Sequence, residues 1–341
     1  MYKTVLCVYK TMRVVITGAA GFIGHHLVEH LLRNTSYDII ILDKLSYASM
    51  RFKRLEDNGT MFSPRVRVFT YDLVSPLSVG LIQEMGDVEI IIHLAAETHV
   101  DNSISNPVET IRNNVMSTVN LLEWARTLPH LKKFFYFSTD EVFGNACHGE
   151  SFKEWDRHKP TNPYSASKAA SEDICLGYEN TYHVPVLILN SMNVFGERQH
   201  VEKFIPKVIR NVRDGKETEI HCEQDCKTSG SRFYIHARNV ASAILFLMEK
   251  GVVGEKYNIS GEREVSNLDM LLLITKIMGK EPNYKLVNWH TTSRAGHDTR
   301  YCLDGSKLHE MGWKPPVGFE QTLEKTIRWT LENPRWLQEE L

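Results

Sequence analysis

The chain has 341 residues, 42% of them hydrophobic and 24% charged, with a formal net charge of −2. This length and balance suit one large α/β domain with a smaller partner. A near-neutral charge offers no global field for nucleic acid or an anionic membrane. The longest apolar runs, such as Ile90–Ala96, are too short to span a bilayer, so a soluble protein is expected.

In chain order, Met1–Thr11 place Lys3 and Lys10 around the short apolar run Val5–Tyr9, without a small-residue cleavage site, so a secretory leader is not expected. Met12 directly precedes the first strand and reads as an alternative start. Residues 1–11 are then an appendage; an ordered extra edge strand is the other reading. Strands are expected at Arg13–Thr17, Asp38–Leu42, Arg65–Thr70, Val88–Leu94, Lys133–Ser138 and Val184–Asn190. Between them lie helical patterns at Ile23–Arg33, Leu77–Met85, Glu109–Arg126 and Pro163–Tyr182. Runs such as Ile-Ile-Ile-Leu and Phe-Phe-Tyr-Phe are apolar on both faces, as buried parallel strands must be.

After about Asn190 the rhythm breaks. Helices are expected at Val201–Val212, Arg238–Glu249, Ser266–Met278 and Phe319–Glu332, with a polar loop over Glu217–Ser231 and a turn at Gly312–Pro316. A strand near Phe233–His236 is expected to return to the main sheet. The fold class is therefore α/β, a Rossmann-type doubly wound parallel sheet with a smaller C-terminal α+β substrate lobe. Residues 1–190 form the first domain, with 233–262 returning to it; 191–232 and 263–341 form the lobe. Six cysteines (Cys7, Cys147, Cys175, Cys222, Cys226, Cys302) show no Cys-x-x-Cys pair, and His221, Cys222 and Cys226 fit no zinc spacing. Reduced thiols, no metal and a cytoplasmic location are expected.

Gly18-Ala19-Ala20-Gly21-Phe22-Ile23-Gly24 joins the first strand to the first helix. The spacing is Gly-x-x-Gly-x-x-Gly. Small residues let the backbone approach a pyrophosphate, and the helix N-terminus supplies open N–H groups and a positive dipole end. Asp43, about 20 residues after Gly24, ends the second strand, where a carboxylate accepts hydrogen bonds from an adenosine ribose. The same charge repels the 2′-phosphate of NADP, so NAD is the expected cofactor. Asp72-Leu73 after the third strand either faces the adenine or is a solvated loop.

Tyr164 and Lys168 stand at i and i+4 in Asn162-Pro163-Tyr164-Ser165-Ala166-Ser167-Lys168. Asn162 caps the helix and Pro163 opens it, which puts phenol and ammonium on one face. The lysine charge is expected to lower the tyrosine pKa and make a base for a hydroxyl proton. Ser138-Thr139-Asp140-Glu141-Val142-Phe143-Gly144 follows the fifth strand, at the end where ligands bind parallel sheets. Adjacent strand residues face opposite ways, so Asp140 and Glu141 can serve one substrate as acid and base only if the backbone turns after Thr139.

Together these motifs resemble the extended short-chain dehydrogenase/reductase superfamily, and within it the dTDP- and UDP-glucose 4,6-dehydratases, over nearly the whole chain from Met12. The most specific element is Ser-Thr-Asp-Glu-Val-Phe-Gly, since related 4-epimerases carry small polar residues at the Asp-Glu positions. Leu94-Ala95-Ala96-Glu97-Thr98-His99-Val100-Asp101 and Asp43-Lys44-Leu45-Ser46-Tyr47-Ala48 also look like family segments. The resemblance implies Tyr164 as the base for C4 oxidation, Glu141 as the C5 base, Asp140 as the acid for the 6-hydroxyl and Thr139 as a partner of the 4-oxygen. It implies Lys168 on the ribose, and cofactor contacts from Gly18, Gly21, Phe22, Ile23, Gly24, Asp43, Lys44, Ser46, Asp72, Leu73, Leu94, Ala95, Ala96 and Thr98. Thr98 also faces substrate. Asn193 resembles the sugar- or phosphate-contacting asparagine, Lys203 the nucleotide-side lysine and Asn267 a further nucleotide contact. Arg232 with Arg300-Tyr301 looks like the diphosphate clamp. NAD is regenerated each cycle and expected to stay bound, and a homodimer through the helices Glu109–Arg126 and Pro163–Tyr182 is implied by the same resemblance.

The sequence departs from the family pattern at Phe143, Phe195, Glu197, Phe233 and His236. No departure removes a catalytic group. They leave uracil and thymine both open, with a tilt to uracil because the pocket leaves the bacterial thymidine pattern. A 4-epimerase does not need Asp140 and Glu141; a non-catalytic NAD-binding sensor does not need Tyr164 and Lys168. The expected product is a 4-keto-6-deoxy sugar nucleotide, a precursor of 6-deoxyhexoses such as rhamnose.

Overall fold

A computed structural model describes residues 11–224, 229–288 and 299–338. Residues 1–10, on which the N-terminal expectation rests, lie outside the described residues, as do Cys226 and residues 296–298. The strands are β1 (Arg13–Thr17), β2 (Asp38–Asp43), β3 (Val66–Thr70), β4 (Ile90–His93), β5 (Lys133–Thr139), β6 (Val186–Ser191), β7 (Asn193–Phe195), β8 (Thr218–Cys222), β9 (Ser231–His236), β10 (Lys256–Ile259), β11 (Glu264–Ser266) and β12 (Tyr284–Asn288).

Seven of them form one sheet in the order β10-β6-β5-β4-β1-β2-β3, and every pairing is parallel. The period of two sorts its side chains into two cores. Val14, Ile16, Ile39, Ile41, Ile90, Ile92, Phe135 and Phe137 enter one. Val15, Ile40, Leu42, Ile91, Phe134 and Tyr136 enter the other. Each large apolar side chain so buried contributes roughly 1.5–3 kcal/mol. The helix Phe22–Asn34 packs with Ala237–Lys250 on the first face, and Pro107–Ala125 with Pro163–Tyr182 on the second. Strand order reverses between β1 and β4, which opens a crevice at their carboxyl ends.

Two expectations in the last third are corrected. The strand at Phe233–His236 does not return to the main sheet: β9 is the middle of a three-stranded sheet, β11-β9-β7. The strand that does return is β10, beside β6. The segment Glu217–Ser231 is not all loop either, because β8 pairs in parallel with β12. Thr218 and Ile220 turn inward there while Glu219 stays exposed, an alternation too short to stand out against the polar flanks. A third core, with Ile205, Ile209, Tyr234, Met270 and Leu323, fills this lobe. Two of the unusual residues meet: His236 Nε2 lies 3.2 Å from Glu197 Oε2. Arg238 donates to the same carboxylate at 2.7 Å. Against burial, these partners hold the Glu197 carboxyl below the usual range.

Candidate active site

A cleft of about 310 Å³ opens over the carboxyl ends of β1, β2, β4 and β5 and is closed on the far side by residues after β6 and β7. The expected cofactor residues from Gly18 to Thr98, the residues from Thr139 to Lys168 expected to be catalytic, and the expected substrate residues Asn193 and Lys203 all line it.

The glycine loop sets its floor. Gly18 holds φ at +68°, and a Cβ there would sit 2.8 Å from the Ala95 backbone. A Cβ on Gly24 would lie 2.5 Å from Ala19 Cα, so the helix can come this near the strand only with glycine. Gly21 caps the helix without a side-chain bond, leaving the N-terminal N–H groups facing the cleft. The Asp43 carboxylate accepts from Ala20 N–H at 3.0 Å and from Leu45 N–H at 2.8 Å. It ties the two loops together, and each oxygen keeps a second lone pair for a ribose hydroxyl. Asp72 does two things: it accepts from Val74 N–H at 3.0 Å, as a turn aspartate does, and it lines the cleft. Lys44 reaches Asn113 at 2.7 Å and Glu97 at 2.8 Å. A glycine cradle, an open helix start and an acidic strand end fit NAD.

The chemistry-bearing turn has the geometry its acid pair requires. β5 ends at Thr139, and Asp140–Phe143 form a 3₁₀ turn capped by the Thr139 side chain, which accepts from Glu141 N–H at 3.3 Å. The turn brings both carboxylates to the cleft. Thr139 Oγ1 donates to Asp140 Oδ1 at 3.0 Å, while the buried Oδ2 has no hydrogen-bond partner among the described residues. Burial first, and the neighbouring Glu141 charge second, push the Asp140 carboxyl up to about 7. Glu141 Oε2 stands 3.5 Å from both Asn162 Nδ2 and Tyr301 Oη. Gly144, with φ +79°, closes the turn against the Lys159 carbonyl.

The helix Pro163–Tyr182 opens with the expected Asn162 cap, completed by Ser165 as a reciprocal capping box. One electrostatic expectation fails. Tyr164 is pushed above the ordinary tyrosine range by burial, and the Glu141 and Asp140 charges add to this; only its hydrogen bond with Thr139 opposes it. Lys168 does not supply the expected lowering, because it points to the Phe137 carbonyl at 2.7 Å and lies 4.3 Å from the Tyr136 ring centre. Burial brings Lys168 itself down to about 8.

The substrate-side residues divide. Arg232 and Tyr301 stack at 4.4 Å next to the acid pair, and Arg232 donates to the carbonyls of Ser231 and Thr299. Asn267 opens the helix Asn267–Met278, near Tyr234 Oη at 3.4 Å. None of these three lines the cleft, nor does Arg300. Arg300 is turned away, making a two-pronged pair with Glu264 at 2.8 and 3.1 Å and donating to the carbonyls of Cys147 and Glu150. Sequence reasoning missed Asn113, Ser117, Arg54 and Glu202, all of which line the cleft. The signal for two of them was present: Asn113 and Ser117 are polar residues on the buried face of an amphipathic helix.

The sequence profile of the GDP-mannose 4,6 dehydratase family matches residues 15–326. A trifunctional UDP-glucose 4,6-dehydratase/UDP-4-keto-6-deoxy-D-glucose 3,5-epimerase/UDP-4-keto-L-rhamnose-reductase of Arabidopsis thaliana is 36% identical over 331 residues, 96% of this chain and 48% of that protein. The chain thus spans about half the length of that plant relative. The dTDP-glucose 4,6-dehydratase of Streptomyces venezuelae, solved with NAD bound, superposes with a TM-score of 0.85 at 33% identity, covering 96% of this chain and 99% of that one. A UDP-glucuronic acid 4-epimerase of Bacillus cereus, also solved with NAD, reaches the same TM-score of 0.85 at 26% identity, covering 94% of this chain and 100% of its own. With its matching profile, its glycine cradle and its acid pair, the chain belongs to the GDP-mannose 4,6 dehydratase family.

Proposed function

We propose that the chain is an NAD-dependent nucleoside-diphosphate-glucose 4,6-dehydratase acting on UDP-glucose or dTDP-glucose. Epimerase and dehydratase relatives share the fold equally well, so the fold does not choose the reaction. The acid pair does: Asp140, buried and held near neutrality, sits one residue from Glu141 on the turn after β5. An epimerase has no use for a proton donor at C6 or a base at C5.

The glycine loop Gly18–Gly24 and Asp43 would hold NAD, which would supply the hydride acceptor for oxidation at the sugar C4 and the hydride donor for reduction at C6. Tyr164, aligned by Thr139, takes the 4-hydroxyl proton. The resulting ketone acidifies C5–H, and Glu141 removes that proton and returns it to C5 once hydride has reached C6. Asp140, protonated at and below about pH 7, gives its proton to the 6-hydroxyl as water leaves. Asn193 and Lys203 meet the nucleotide sugar in the cleft; Arg232 and Tyr301, outside the cleft lining but beside the acid pair, would meet its diphosphate, and Asn267 would be a further nucleotide contact. Arg300 reaches the diphosphate only by leaving Glu264.

We further propose that residues 1–190, joined by part of 233–262, form the NAD-binding domain, and that 191–232 and 263–341 form the substrate lobe. A homodimer forms through the two long helices, where Val108, Ile111 and Met116 are exposed on Pro107–Ala125. Among the described residues no helix is long and apolar enough to cross a membrane. A cytoplasmic location is part of the same proposal. The test is to incubate purified protein with UDP-glucose or dTDP-glucose, without added cofactor, and follow product mass. Loss of one water establishes the dehydratase and names the preferred base. No mass change, even after NAD⁺ is added, refutes the reading and leaves isobaric epimer products to be sought.

A further inference from the structure

Beneath the acid-pair turn lies a charged network that the mechanism above does not use. Glu172 is fully buried on the helix that carries Tyr164 and Lys168. Its Oε2 lies 2.8 Å from Lys256 Nζ on β10 and 3.2 Å from His158 Nε2. Its Oε1 accepts from Asn190 Nδ2 on β6 at 2.7 Å. Lys256 is also buried, and its ammonium stands 3.3 Å from His158. A buried ion pair is weak evidence for stability, because desolvation offsets most of its attraction. A specific arrangement calls for another account.

Two lines of contact lead from Glu172 to the reacting groups. Asn190 Nδ2 also donates to the Thr139 carbonyl at 3.3 Å, at the residue where β5 turns into the acid pair. His158 packs edge-on against Phe143 in the same turn at 5.6 Å, and Lys159 N–H donates to the Val142 carbonyl at 2.9 Å. The second line is electrostatic. Glu172 lies one helical turn below Lys168, so the two share a face. The groups around Lys168 are His93 from β4, Tyr136 and the Phe137 carbonyl from β5, and Tyr164, Glu172 and Cys175 from its own helix. Glu172 is the anion among them, since His158 and Lys256 keep it ionised against burial.

We propose that Glu172 is a positioning residue for the reaction: through Asn190 and His158 it holds the turn that aims Thr139, Asp140 and Glu141, and it sets the negative charge that keeps Lys168 an ammonium ion. The role in turnover rests on the dehydratase reading; the effect on Lys168 does not. Burial draws Lys168 down to about 8 even with the Glu172 carboxylate opposing it, so removal of that anion carries it further towards the neutral amine at physiological pH.

The test uses Glu172→Gln and, because that change strands Lys256, the neutral double variant Glu172→Gln/Lys256→Met. Lys168 is titrated by NMR in full-length protein carrying 13C-labelled lysine, with Lys168→Met to assign its signal. In both variants the Lys168 midpoint is expected to fall by about one pH unit. kcat is expected to fall more than about tenfold with KM within about threefold. A neutral double variant with wild-type kcat and an unmoved Lys168 midpoint overturns the proposal, because a merely structural pair is replaceable by a neutral one. If wild-type protein removes no water from either sugar nucleotide, the dehydratase reading fails, and the substrate-free titration still decides the role of Glu172 towards Lys168.

Discussion

Asp140→Asn separates what the site gains from its buried acid and what the fold loses by it. The Asp140 carboxyl rises from 3.8 unfolded to about 7 folded, first by burial and then by Glu141. A folded pKa above the unfolded one means that the native state holds its proton through the window from about 4 to about 7. The associated stability is fully present below about pH 4 and is lost as pH climbs through about 7. At about 1.4 kcal/mol per pH unit the ceiling is roughly 4 kcal/mol, and relaxation with water entry brings the expectation to about 2 kcal/mol. Asn has no proton to lose. The variant's stability relative to wild type should therefore improve by about 2–4 kcal/mol between about pH 4 and about pH 8, while other titrations cancel between the two proteins. Urea denaturation of both proteins across that range reads the difference directly. Turnover should fall by about 10²–10⁴, the usual worth of a positioned acid, and wild-type kcat should decline above about pH 7. A stability difference that stays flat over this range would refute the assignment of Asp140 as a carboxyl kept neutral by its surroundings.

Three other perturbations test the remaining parts. Glu141→Gln should cost about 10²–10⁴ in kcat and abolish exchange of the C5 hydrogen with deuterated solvent, while Asp140, freed of a like charge, titrates lower; persistent exchange at C5 excludes Glu141 as that base. Tyr164→Phe should leave nucleotide-diphosphate binding within about threefold by calorimetry while kcat falls by about 10²–10⁴, and equal loss of both would mean that the phenol serves binding. Gly24→Ala forces a Cβ to 2.5 Å from both Ala19 Cα and the Gly18 carbonyl oxygen, neither of which can swing aside. It should destabilise the fold by about 1–3 kcal/mol and leave purified protein depleted of NAD, so a variant with full NAD content and unchanged unfolding midpoint contradicts the close-packed cradle.

Much of this protein is decided within short stretches of chain. The six N-terminal strands of the main sheet announce themselves because both of their faces are buried, and such strands are apolar throughout. The glycine cradle, the Asn162 cap and the i,i+4 pair of Tyr164 and Lys168 are local geometry, and a local pattern suffices to place them. Partner choice is not local. Nothing in Ser231–His236 tells β9 to pair with β7 and β11 while β10 joins the main sheet, and the five residues of β8 become a strand because β12 lies alongside. Arg300 has the composition of a phosphate ligand, yet Glu264 and two carbonyls occupy its donors across 36 residues and more of chain. Electrostatics depends on the same three-dimensional facts. Lys168 lies one turn from Tyr164, but the desolvation and the two carboxylates that raise the phenol come from the assembled cleft, and so does the burial that makes Asp140 an acid at neutral pH. The order of residues along the chain settles which groups are present and which backbone turns carry them. Tertiary structure decided which charges lose water and which face each other, because the free energy of a buried charge depends on its whole surroundings and not on its neighbours in the chain.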